Sequence, residues 1–562
     1  MTTSPDETAS PTTMQRILGP LVIVLVVLIG YGIGPTRLPL VGEETCRALH
    51  GVEMAENNEW IIATNQGHEI LDRPPLQYWT LAIIHEWIHP LDAMTVRVFM
   101  VIVTGLMALV VWWYALRILA PPAALLAALA YPTMGHVFDL GRRVETDGLF
   151  AMLLASALLV WHRGYVVNKS RALTWIVACI IAAAATLTKG LQGPIAFFGA
   201  TYLFLLLRRD WRWLLHWSHV IGIVLFLGAI AAFQVPLFVE TGWEGTKQTW
   251  LDPGGSRVSA GIGALLTHMA MLPLEVFVAT LPWSPLLLGL LDPRFWKSMS
   301  PAVRSCMLFQ ILAIGALFGP VWIVAEGHHR YLIPMYPLIG VICGVVVHQA
   351  LALDFAFSLR RFYRDFLRIF ASILVLAVLF LAGVTVASRF DLSRWVQTAA
   401  QPWWLLVVLF AGTALAWLVI MRRSKLDSRS HGLLAPGLLA MLIAGMFNGP
   451  VINMLVHNAT DPGTDVETVR AELPEDVQLV SFGLLHHKFL YWYGSPIPLL
   501  PWPESADEVP GDVDYFAITV LRGQKRTLPF EWTQIATLNM DRTRSDDPEN
   551  RVIVARRMPA GD

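Results

Sequence analysis

Residues 42–84 read GEETCRALHGVEMAENNEWIIATNQGHEILDRPPLQYWTLAII. They form most of a polar segment, residues 36–94, that lies between an apolar run beginning at Ile17 and a series of further apolar runs. A helix needs about 20 mostly apolar residues to cross a bilayer, and runs of that kind recur along the chain. The sequence therefore predicts a helical protein that crosses a membrane many times and carries a long polar loop after its first span.

Counting these apolar runs predicts about 13 membrane spans. They lie near residues 17–35, 95–116, 121–138, 147–162, 172–188, 193–207, 217–238, 268–291, 305–325, 331–351, 367–387, 402–421 and 432–455. A second polar segment, residues 456–562, has short β-like runs at 477–482, 515–520 and 552–555, separated by turn-rich stretches. We expect a transmembrane domain over residues 1–455, including the 36–94 loop with juxtamembrane helices, and a small α/β domain over residues 456–562.

The composition supports this class and excludes others. The 562 residues are 55% hydrophobic and only 15% charged, with a mean hydropathy of +0.55, whereas soluble domains carry about 25% charge. A single soluble enzyme, a disordered chain and a nucleic-acid binder with a basic face are therefore excluded. The four cysteines form no CxxC pair and no visible disulfide framework. The polar start and the apolar run from Ile17 indicate an uncleaved signal anchor.

The distribution of Lys and Arg predicts the orientation. If the N-terminus is cytoplasmic, the inside connections each hold three or four basic residues, at 163–171, 208–212, 294–304, 360–368 and 422–429. The outside connections at 142–147, 189, 240–257, 326–330 and 389–394 each hold one or two. An odd number of spans then places the C-terminal domain outside.

The unusual polar residues collect at the outer helix ends and in the first loop, whereas the spans themselves are almost free of charge. Transporters place charges at mid-membrane, on broken helices. This pattern instead favours a site at the outer membrane surface, open both to lipid and to water. An enzyme that acts on a lipid-linked substrate needs a site in that position.

The first loop carries five elements in order, which are Glu43-Glu44, Glu53-Met54, Glu59-Trp60, Asn65-Gln66-Gly67 and Arg73-Pro74-Pro75-Leu76-Gln77-Tyr78-Trp79. This layout resembles that of bacterial membrane glycosyltransferases of the aminoarabinose transferase (ArnT) and dolichyl-phosphate-mannose protein mannosyltransferase type. The resemblance implies an all-α polytopic membrane protein of the GT-C fold with a small outer α/β C-terminal domain.

Three later segments extend this resemblance along the chain. They are Arg142-Arg143-Val144-Glu145-Thr146-Asp147, Thr188-Lys189-Gly190, and the segment from His328 to Pro337, which resembles the family's Arg-Tyr-x-x-Pro-x-x-Pro motif. The predicted topology places all three on the outer face. The chain departs from the family pattern at Glu43, Arg73 and Cys46, where the family usually has Asp, Lys and Arg. The donor sugar therefore stays open.

The resemblance implies that a sugar moves from a polyprenyl phosphate to an acceptor hydroxyl or phosphate. A lipid phosphate leaving group needs fixed cations, and arginine offers a forked donor set. Arg73 is the first expected phosphate ligand, with Lys189, Arg330 and Arg47 as further donor-phosphate residues. Glu43 is the expected catalytic base, beside Glu44. Asp147 is the second acid, which either orients the acceptor or holds a divalent metal.

Aromatic and basic side chains near these motifs are expected to contact the sugar or the prenyl chain. These expected substrate-binding residues are Tyr78, Trp79, Tyr331, Tyr336, Arg142 and Arg143. A single displacement would invert the anomeric centre. The sequence requires no cofactor, predicts no metal-ligand set, and leaves a divalent ion at Asp147 as an open alternative.

The expected partners are a polyprenyl-phosphate sugar, the lipid bilayer and a cell-envelope acceptor, with no nucleic acid. The acceptor is a lipid A-like lipid, another glycan or a protein, and the sequence does not choose among them. The ArnT-type resemblance implies a bacterial inner membrane protein with a cytoplasmic N-terminus and a periplasmic C-terminal domain.

Two alternatives belong to other classes. His85-Glu86-Trp87-Ile88-His89 matches H-E-x-x-H, the pattern of a zinc metalloprotease. Pro90 follows at once, so the second histidine falls where a helix is expected to end, and no downstream third-ligand signature is visible. The other alternative is a polytopic transporter or flippase, which predicts polar residues at mid-membrane that this chain lacks.

Overall fold

The structure is a computed structural model that describes residues 13–88, 90–167, 170–251, 261–297, 299–325, 327–351, 357–390, 400–421, 435–458, 462–474, 477–519, 527–541 and 548–558. The chain divides into two compact units. The first unit comprises Met1–Pro35, Asp72–Pro74 and Arg97–Met454, and the second comprises Thr36–Leu71, Pro75–Val96 and Leu455–Asp562.

The first unit is built from long apolar helices. Within the described residues, nine helices are long and apolar enough to cross a membrane: Ala93–Ala115, Thr146–Val167, Arg171–Lys189, Trp217–Trp250, Ile262–Ala279, Pro301–Trp322, His329–Leu351, Leu359–Phe390 and Trp403–Met421. Shorter apolar helices are Ile17–Gly32 and Ala435–Val451, and the unit also contains Pro121–Ala130 and Gln192–Arg208. The predicted many-span helical class is confirmed, and the number of spans stays a prediction.

Several helices end where proline or glycine interrupts the apolar pattern. The expected span 121–138 is a helix over Pro121–Ala130, a 3₁₀ turn over Tyr131–Thr133 and a short helix over Gly135–Leu140. The expected span 268–291 ends at Ala279 and continues as the 3₁₀ helix Ser284–Leu291. Proline removes a backbone donor and clashes with the preceding turn, which favours a break at Pro132 and at Pro282 in these two runs.

Small residues allow close packing inside the first unit. Every residue from Pro122 to Ala130 is buried, and this helix packs against Tyr336–Leu351. A Cβ added at Gly340 would lie 2.8 Å from the carbonyl oxygen of Ala127. Such close backbone approach is typical of helix pairs in membranes, where small residues replace bulky ones at the contact. It fixes the helix that follows Arg330 and Tyr331 in the chain.

The second unit contains two helices, a hairpin and a mixed sheet. The helices Glu44–Glu56 and Leu76–Trp87 pack together, and an antiparallel hairpin joins Ala63–Asn65 to His68–Ile70. The sheet has the strand order Leu499–Leu500, Val480–Phe482, Tyr515–Thr519, Arg551–Arg557, Trp532–Asn539. The first three strands are parallel and the last two pairings are antiparallel. Helices Gly463–Glu472 and His487–Tyr493 accompany the sheet. The predicted small α/β domain in the tail is confirmed.

The first loop and the tail share one core. Leu49 packs against the buried cluster that contains Phe489 and Val554. The Gln66 side chain donates to Ser481 Oγ at 3.0 Å and to the Ile497 carbonyl at 3.1 Å, and accepts from the Leu485 backbone N–H at 2.9 Å. The sequence predicts that residues 36–94 belong to the transmembrane domain, whereas the structure groups nearly all of them with the tail.

Candidate active site

Asp147 and Lys189 form the centre of a charged cluster in the first unit. Asp147 lies in the first turn of helix Thr146–Val167, and Lys189 is the last residue of Arg171–Lys189. These are the helix ends that favour an anion and a cation respectively. Lys189 Nζ contacts Asp147 Oδ1 and lies 4.5 Å from the centroid of the Tyr331 ring. Two side chains predicted from separate motifs are thus in direct contact.

Arg73 reaches the same helix end. Its Nη1 donates to Thr146 Oγ1 at 2.7 Å and its Nε donates to Asp72 Oδ2 at 2.9 Å. The Arg73 side chain is 30% exposed, so part of the guanidinium still faces the outside of the unit. The neighbouring residues Thr146 and Asp147 therefore hold one cation each, and the two cations flank the start of one helix.

Glu145 gathers two more cations. Its Oε1 lies 3.8 Å from Arg143 Nη1 and its Oε2 lies 3.6 Å from Arg330 Nη1. Glu145 is buried, whereas the Arg330 side chain is 44% exposed. The sequence analysis gives Glu145 and Thr146 no separate role, although both lie inside the motif at 142–147. Their position beside Asp147 is the sequence feature that could have indicated one.

Arg142 lies in a different environment from its neighbour Arg143. It is buried, and it donates to the carbonyls of Phe138 at 2.8 Å and Gly30 at 2.9 Å. Its guanidinium carbon lies 5.4 Å from the Tyr31 ring centroid. Contacts with backbone carbonyls and an aromatic ring indicate that Arg142 joins neighbouring helices. The substrate-binding role predicted for Arg142 gains no support from these contacts.

Tyr331 and Tyr336, both predicted to bind substrate, also lie in different environments. The Tyr331 ring borders Lys189, and the Tyr331 carbonyl accepts from Gln192 Nε2 at 3.0 Å. Tyr336 is fully buried, and its hydroxyl pairs with His136 Nδ1 at 3.0 Å. Tyr331 is thus placed to border a ligand at Lys189, while Tyr336 anchors the packing.

An apolar groove of about 560 Å³ begins beside Lys189. Thr186 and Leu191, which flank the end of the Lys189 helix, line it together with Phe226, Phe238 and Trp250. A Cβ built on Gly190 would lie 3.9 Å from the Trp250 ring. The sequence did not reveal this groove, because the predicted span 217–238 stops before Trp250. In the structure the backbone kinks at Gly242, where φ is +65° and ψ is −155°, and a second helical piece follows that ends at Trp250.

Glu43, Glu44, Arg47 and Tyr78 lie in the second unit. Arg47 Nη2 pairs with Glu43 Oε2 at 3.1 Å, and Arg47 Nη1 donates to the Tyr78 hydroxyl at 2.6 Å. The Glu43 side chain is 55% exposed and that of Arg47 is 3% exposed. Glu44 is buried and accepts from the Val41 backbone N–H at 2.9 Å. Of the two adjacent carboxylates, Glu43 is therefore exposed and Glu44 is buried.

The remaining motif residues of the first loop hold its shape. Glu53 accepts from Thr64 Oγ1 and the Gln66 backbone N–H, each at 2.7 Å. Trp79 Nε1 donates to the Trp60 carbonyl at 2.6 Å. These contacts give the Glu-Met, Glu-Trp and Asn-x-Gly elements a structural purpose, and they leave Trp79 tied to the loop.

The structure does not favour the zinc alternative. His85 Nε2 lies 4.0 Å from Glu56 Oε1, and His89 lies outside the described residues. Across the part of the chain that the structure describes, no group of three or more His, Cys, Asp or Glu side chains is arranged to hold a metal ion.

The chain is similar to known membrane glycosyltransferases. A family model described as dolichyl-phosphate-mannose-protein mannosyltransferase matches residues 72–235. An undecaprenyl phosphate-alpha-4-amino-4-deoxy-L-arabinose arabinosyl transferase of Edwardsiella ictaluri (strain 93-146) is 28% identical over 160 residues, which are 28% of this chain and 29% of the relative. The enzyme of the same name from Pectobacterium carotovorum subsp. carotovorum (strain PC1) is 24% identical over 420 residues, 73% of this chain and 72% of the relative.

The fold matches a solved structure over nearly its whole length. The crystal structure of ArnT from Cupriavidus metallidurans bound to undecaprenyl phosphate has a TM-score of 0.68 and 17% sequence identity, and the match covers 97% of this chain and 98% of that one. The ArnT and mannosyltransferase resemblance predicted from the motifs is confirmed, and so is the GT-C fold with a small C-terminal sheet domain. The chain is therefore similar to ArnT in sequence and fold, and nine of its described helices are long and apolar enough to cross a membrane.

Proposed function

We propose that this chain transfers a sugar from a polyprenyl phosphate to an acceptor of the cell envelope, which is a lipid A-like lipid, a glycan or a protein. One observation supports the proposal most strongly. The Lys189–Asp147 pair, with Arg73 beside it, lies next to an apolar groove of about 560 Å³. A cluster of basic side chains, each positioned by a carboxylate, that adjoins an apolar groove suits a polyprenyl phosphate, whose charged head is joined to a long hydrocarbon tail.

In this proposal the cations stabilise the leaving group. As the bond between the anomeric carbon and the phosphate oxygen breaks, negative charge grows on the phosphate. Lys189, Arg73 and Arg330 offer it fixed positive charge, and one preorganised donor of this kind contributes about 10²–10³ in rate. Asp147 holds Lys189 in place, so we assign Asp147 a positioning role. This assignment needs no metal ion.

The prenyl tail occupies the apolar groove in this proposal. Phe226, Phe238 and Trp250 supply aromatic and apolar surface, and the polar groups at the wall bond to each other. Gln234 Oε1 accepts from Trp250 Nε1 at 2.6 Å, and Gln234 Nε2 donates to Thr246 Oγ1 at 2.8 Å. Because these groups satisfy one another, they present little polarity to a hydrocarbon chain. In this proposal the tail enters the groove from the surrounding lipid.

Glu43 is the proposed base, an assignment that rests on the sequence resemblance and on the exposure of its carboxylate. It takes the proton of the acceptor hydroxyl while the acceptor oxygen bonds to the anomeric carbon and the polyprenyl phosphate departs. One displacement of this kind inverts the anomeric centre. We also propose a cytoplasmic N-terminus and a periplasmic C-terminal domain, supported by the Lys and Arg bias of the connections.

The test is consumption of polyprenyl-phosphate sugars from a membrane lipid extract by the purified chain. We expect the wild type to consume donor and Arg73→Ala and Glu43→Gln to lose at least about 10²-fold in rate. His85→Ala and Arg304→Ala should act as the wild type does, because neither side chain belongs to the proposed site. No consumption by the wild type, together with zinc binding that depends on His85, would overturn the proposal.

A further inference from the structure

A second, polar cleft of about 360 Å³ lies at the other end of the helices that carry the candidate active site. Helix Arg171–Lys189 begins with Arg171 in this cleft and ends with Lys189. At 1.5 Å per residue, the two residues are about 27 Å apart along the helix axis. Helix Gln192–Arg208 likewise runs from Gln192, which contacts Tyr331, to Arg208 in the cleft. The cleft is therefore separate from the proposed transfer site.

Three arginines and one aspartate give this cleft a positive charge. Arg171, Arg208 and Arg212 line it together with Asp210. Among the described residues, none of the three arginines forms an ion pair with a carboxylate, and Asp210 instead accepts from the Tyr165 hydroxyl at 3.3 Å. The cleft, which we call the arginine cleft, thus holds three guanidinium groups and one carboxylate, and its net charge is positive.

The wall and the rim of the arginine cleft add an aromatic surface and the positive end of a helix. Arg171 lies over the Trp213 ring, with its guanidinium carbon 5.6 Å from the centroid, and Trp213 is buried. Pro301 and Ala302, at the start of helix Pro301–Trp322, form part of the lining. The N-terminal end of a helix is the positive end of its dipole, which favours an anion. These features act in the same direction as the arginines.

The floor of the cleft is held by buried hydrogen bonds. Ser305, which lines the cleft, pairs with His162 Nε2 at 3.3 Å. His162 Nδ1 pairs with the Tyr114 hydroxyl at 2.7 Å, and that hydroxyl accepts from Gln310 Nε2 at 2.9 Å. Ser305, His162, Tyr114 and Gln310 are all buried. A connected buried network of this kind fixes side-chain positions, so the floor is rigid.

We infer that the arginine cleft binds a phosphate group, either a phosphomonoester or a phosphodiester. Arginines that only anchor a helix at the headgroups extend separately outward along the surface. Here the arginines of helices Arg171–Lys189 and Gln192–Arg208 and of the short helix Trp211–Leu214 converge on one concave cleft with an aromatic wall and a hydrogen-bonded floor. Guanidinium groups match phosphate oxygens in forked pairs, which makes phosphate the anion best suited to three of them.

Two sources carry this chemistry, an anionic phospholipid headgroup and a soluble phosphate. The test titrates the purified full-length chain with inorganic phosphate, with phosphatidic acid, and with phosphatidylcholine of the same acyl chains. Bound molecules are counted by native mass spectrometry. The variants are Arg212→Gln alone and Arg171→Gln/Arg212→Gln. The matched control is Lys297→Gln/Arg304→Gln, which removes the same charge from exposed residues outside the cleft.

We expect the affinity of one phosphate-binding site to fall at least tenfold in Arg171→Gln/Arg212→Gln. The affinity should fall less in Arg212→Gln and change little in the control. Binding at this site should survive Arg73→Ala, which separates it from the transfer site. If the cleft variants lose affinity for phosphatidic acid alone, the ligand is a lipid headgroup. If they lose affinity for inorganic phosphate alone, the ligand is a soluble phosphate. Equal weakening in the cleft variants and the control, or no phosphate binding that depends on Arg171 and Arg212, would overturn the inference.

Discussion

Lys189 is the single side chain on which the donor-phosphate site most depends, because it is held between Asp147 and the Tyr331 ring. Lys189→Met should lower sugar transfer by about 10²–10³, and it also leaves the buried Asp147 carboxylate without its cation. The double variant Lys189→Met/Asp147→Asn removes both charges and should recover the unfolding midpoint while transfer stays lost. Turnover in the double variant close to that of the wild type would show that Lys189 acts only through folding.

Arg142 should behave in the opposite way. Its contacts are with the carbonyls of Phe138 and Gly30 and with the Tyr31 ring. Arg142→Met should lower the free energy of unfolding by about 2–4 kcal/mol, because buried acceptors lose their donors, while the KM for the donor in the folded fraction changes little. Arg142→Lys should not rescue stability, since a single ammonium cannot replace a stacked fork. A raised donor KM with an unchanged unfolding midpoint would instead support substrate binding.

Much of the candidate site could be predicted at the residue scale, because its motifs are charged residues at helix ends. Asp147, Lys189, Arg73 and Arg330 fall in one neighbourhood of the first unit. The sequence could not separate Arg142 from Arg143, because both read as arginines of one motif. Which of the two turns toward Glu145 depends on distant packing partners such as Gly30.

Gly190 sets the end of the helix that positions Lys189. Its φ is +86° and its ψ is −148°, a combination open almost only to glycine. Gly190→Ala should lower the free energy of unfolding by about 1–3 kcal/mol and weaken donor binding, since the helix end must move. Gly383→Ala is the matched control, because its added Cβ meets nothing within 4 Å, and it should leave donor binding unchanged. Equal donor affinity in the two variants would contradict this role for the helix end.

The start of helix His487–Tyr493 should make the second unit sensitive to acid. Burial lowers the pKa of His486 to about 4 and, with His486 and Lys488 nearby, lowers the pKa of His487 to about 2. Between these values and the unfolded pKa of about 6.5, the unfolded chain binds more protons, so stability is lost as pH falls below about 6.5. Each histidine should lower the free energy of unfolding by about 2 kcal/mol when the pH falls to about 5.

Unfolding of the second unit, followed by hydrogen exchange between pH 7 and pH 5, measures this loss. His487→Asn should flatten the pH dependence, because it removes the titrating ring while keeping a polar partner for Thr45. His68→Asn is the control, since His68 is exposed in the same unit and should leave the slope unchanged. A pH slope that His487→Asn does not alter would show that other groups are responsible.

At the scale of elements, uninterrupted apolar runs were predictable and interrupted ones were not. The run expected at 172–188 is the helix Arg171–Lys189, and the run expected at 402–421 is Trp403–Met421. The run expected at 121–138 contains Pro132 and Gly135 and breaks into three pieces. Apolar content measures affinity for the membrane, whereas backbone hydrogen bonding decides where a helix stops. A turn around Pro132 can therefore divide a run that is apolar throughout.

Across the whole molecule, the largest difference from expectation is that the first loop packs with the C-terminal tail. The sequence could not predict this, because residues more than 400 positions apart that contact each other leave no local pattern. Gln66→Ala should lower the free energy of unfolding of the second unit by about 2 kcal/mol, since it removes the bonds to Ser481, Ile497 and Leu485. Protease cutting should then rise in the loop and the tail together. Gln534→Ala, at an exposed strand position, is the control. Faster cutting in the loop alone would show that the two do not unfold as one.

The shared core of loop and tail also sets an order of events during synthesis. Leu49 and Gln66 leave the ribosome early, yet their partners Phe489 and Ser481 are made more than 400 residues later. At about 5–20 residues per second, the loop waits tens of seconds before the chain that completes its core exists. During that interval Leu49 lacks the buried cluster against which it packs in the finished protein. A ribosome that stalls near the end of the message therefore leaves a nascent chain whose spans are made but whose second unit cannot yet close.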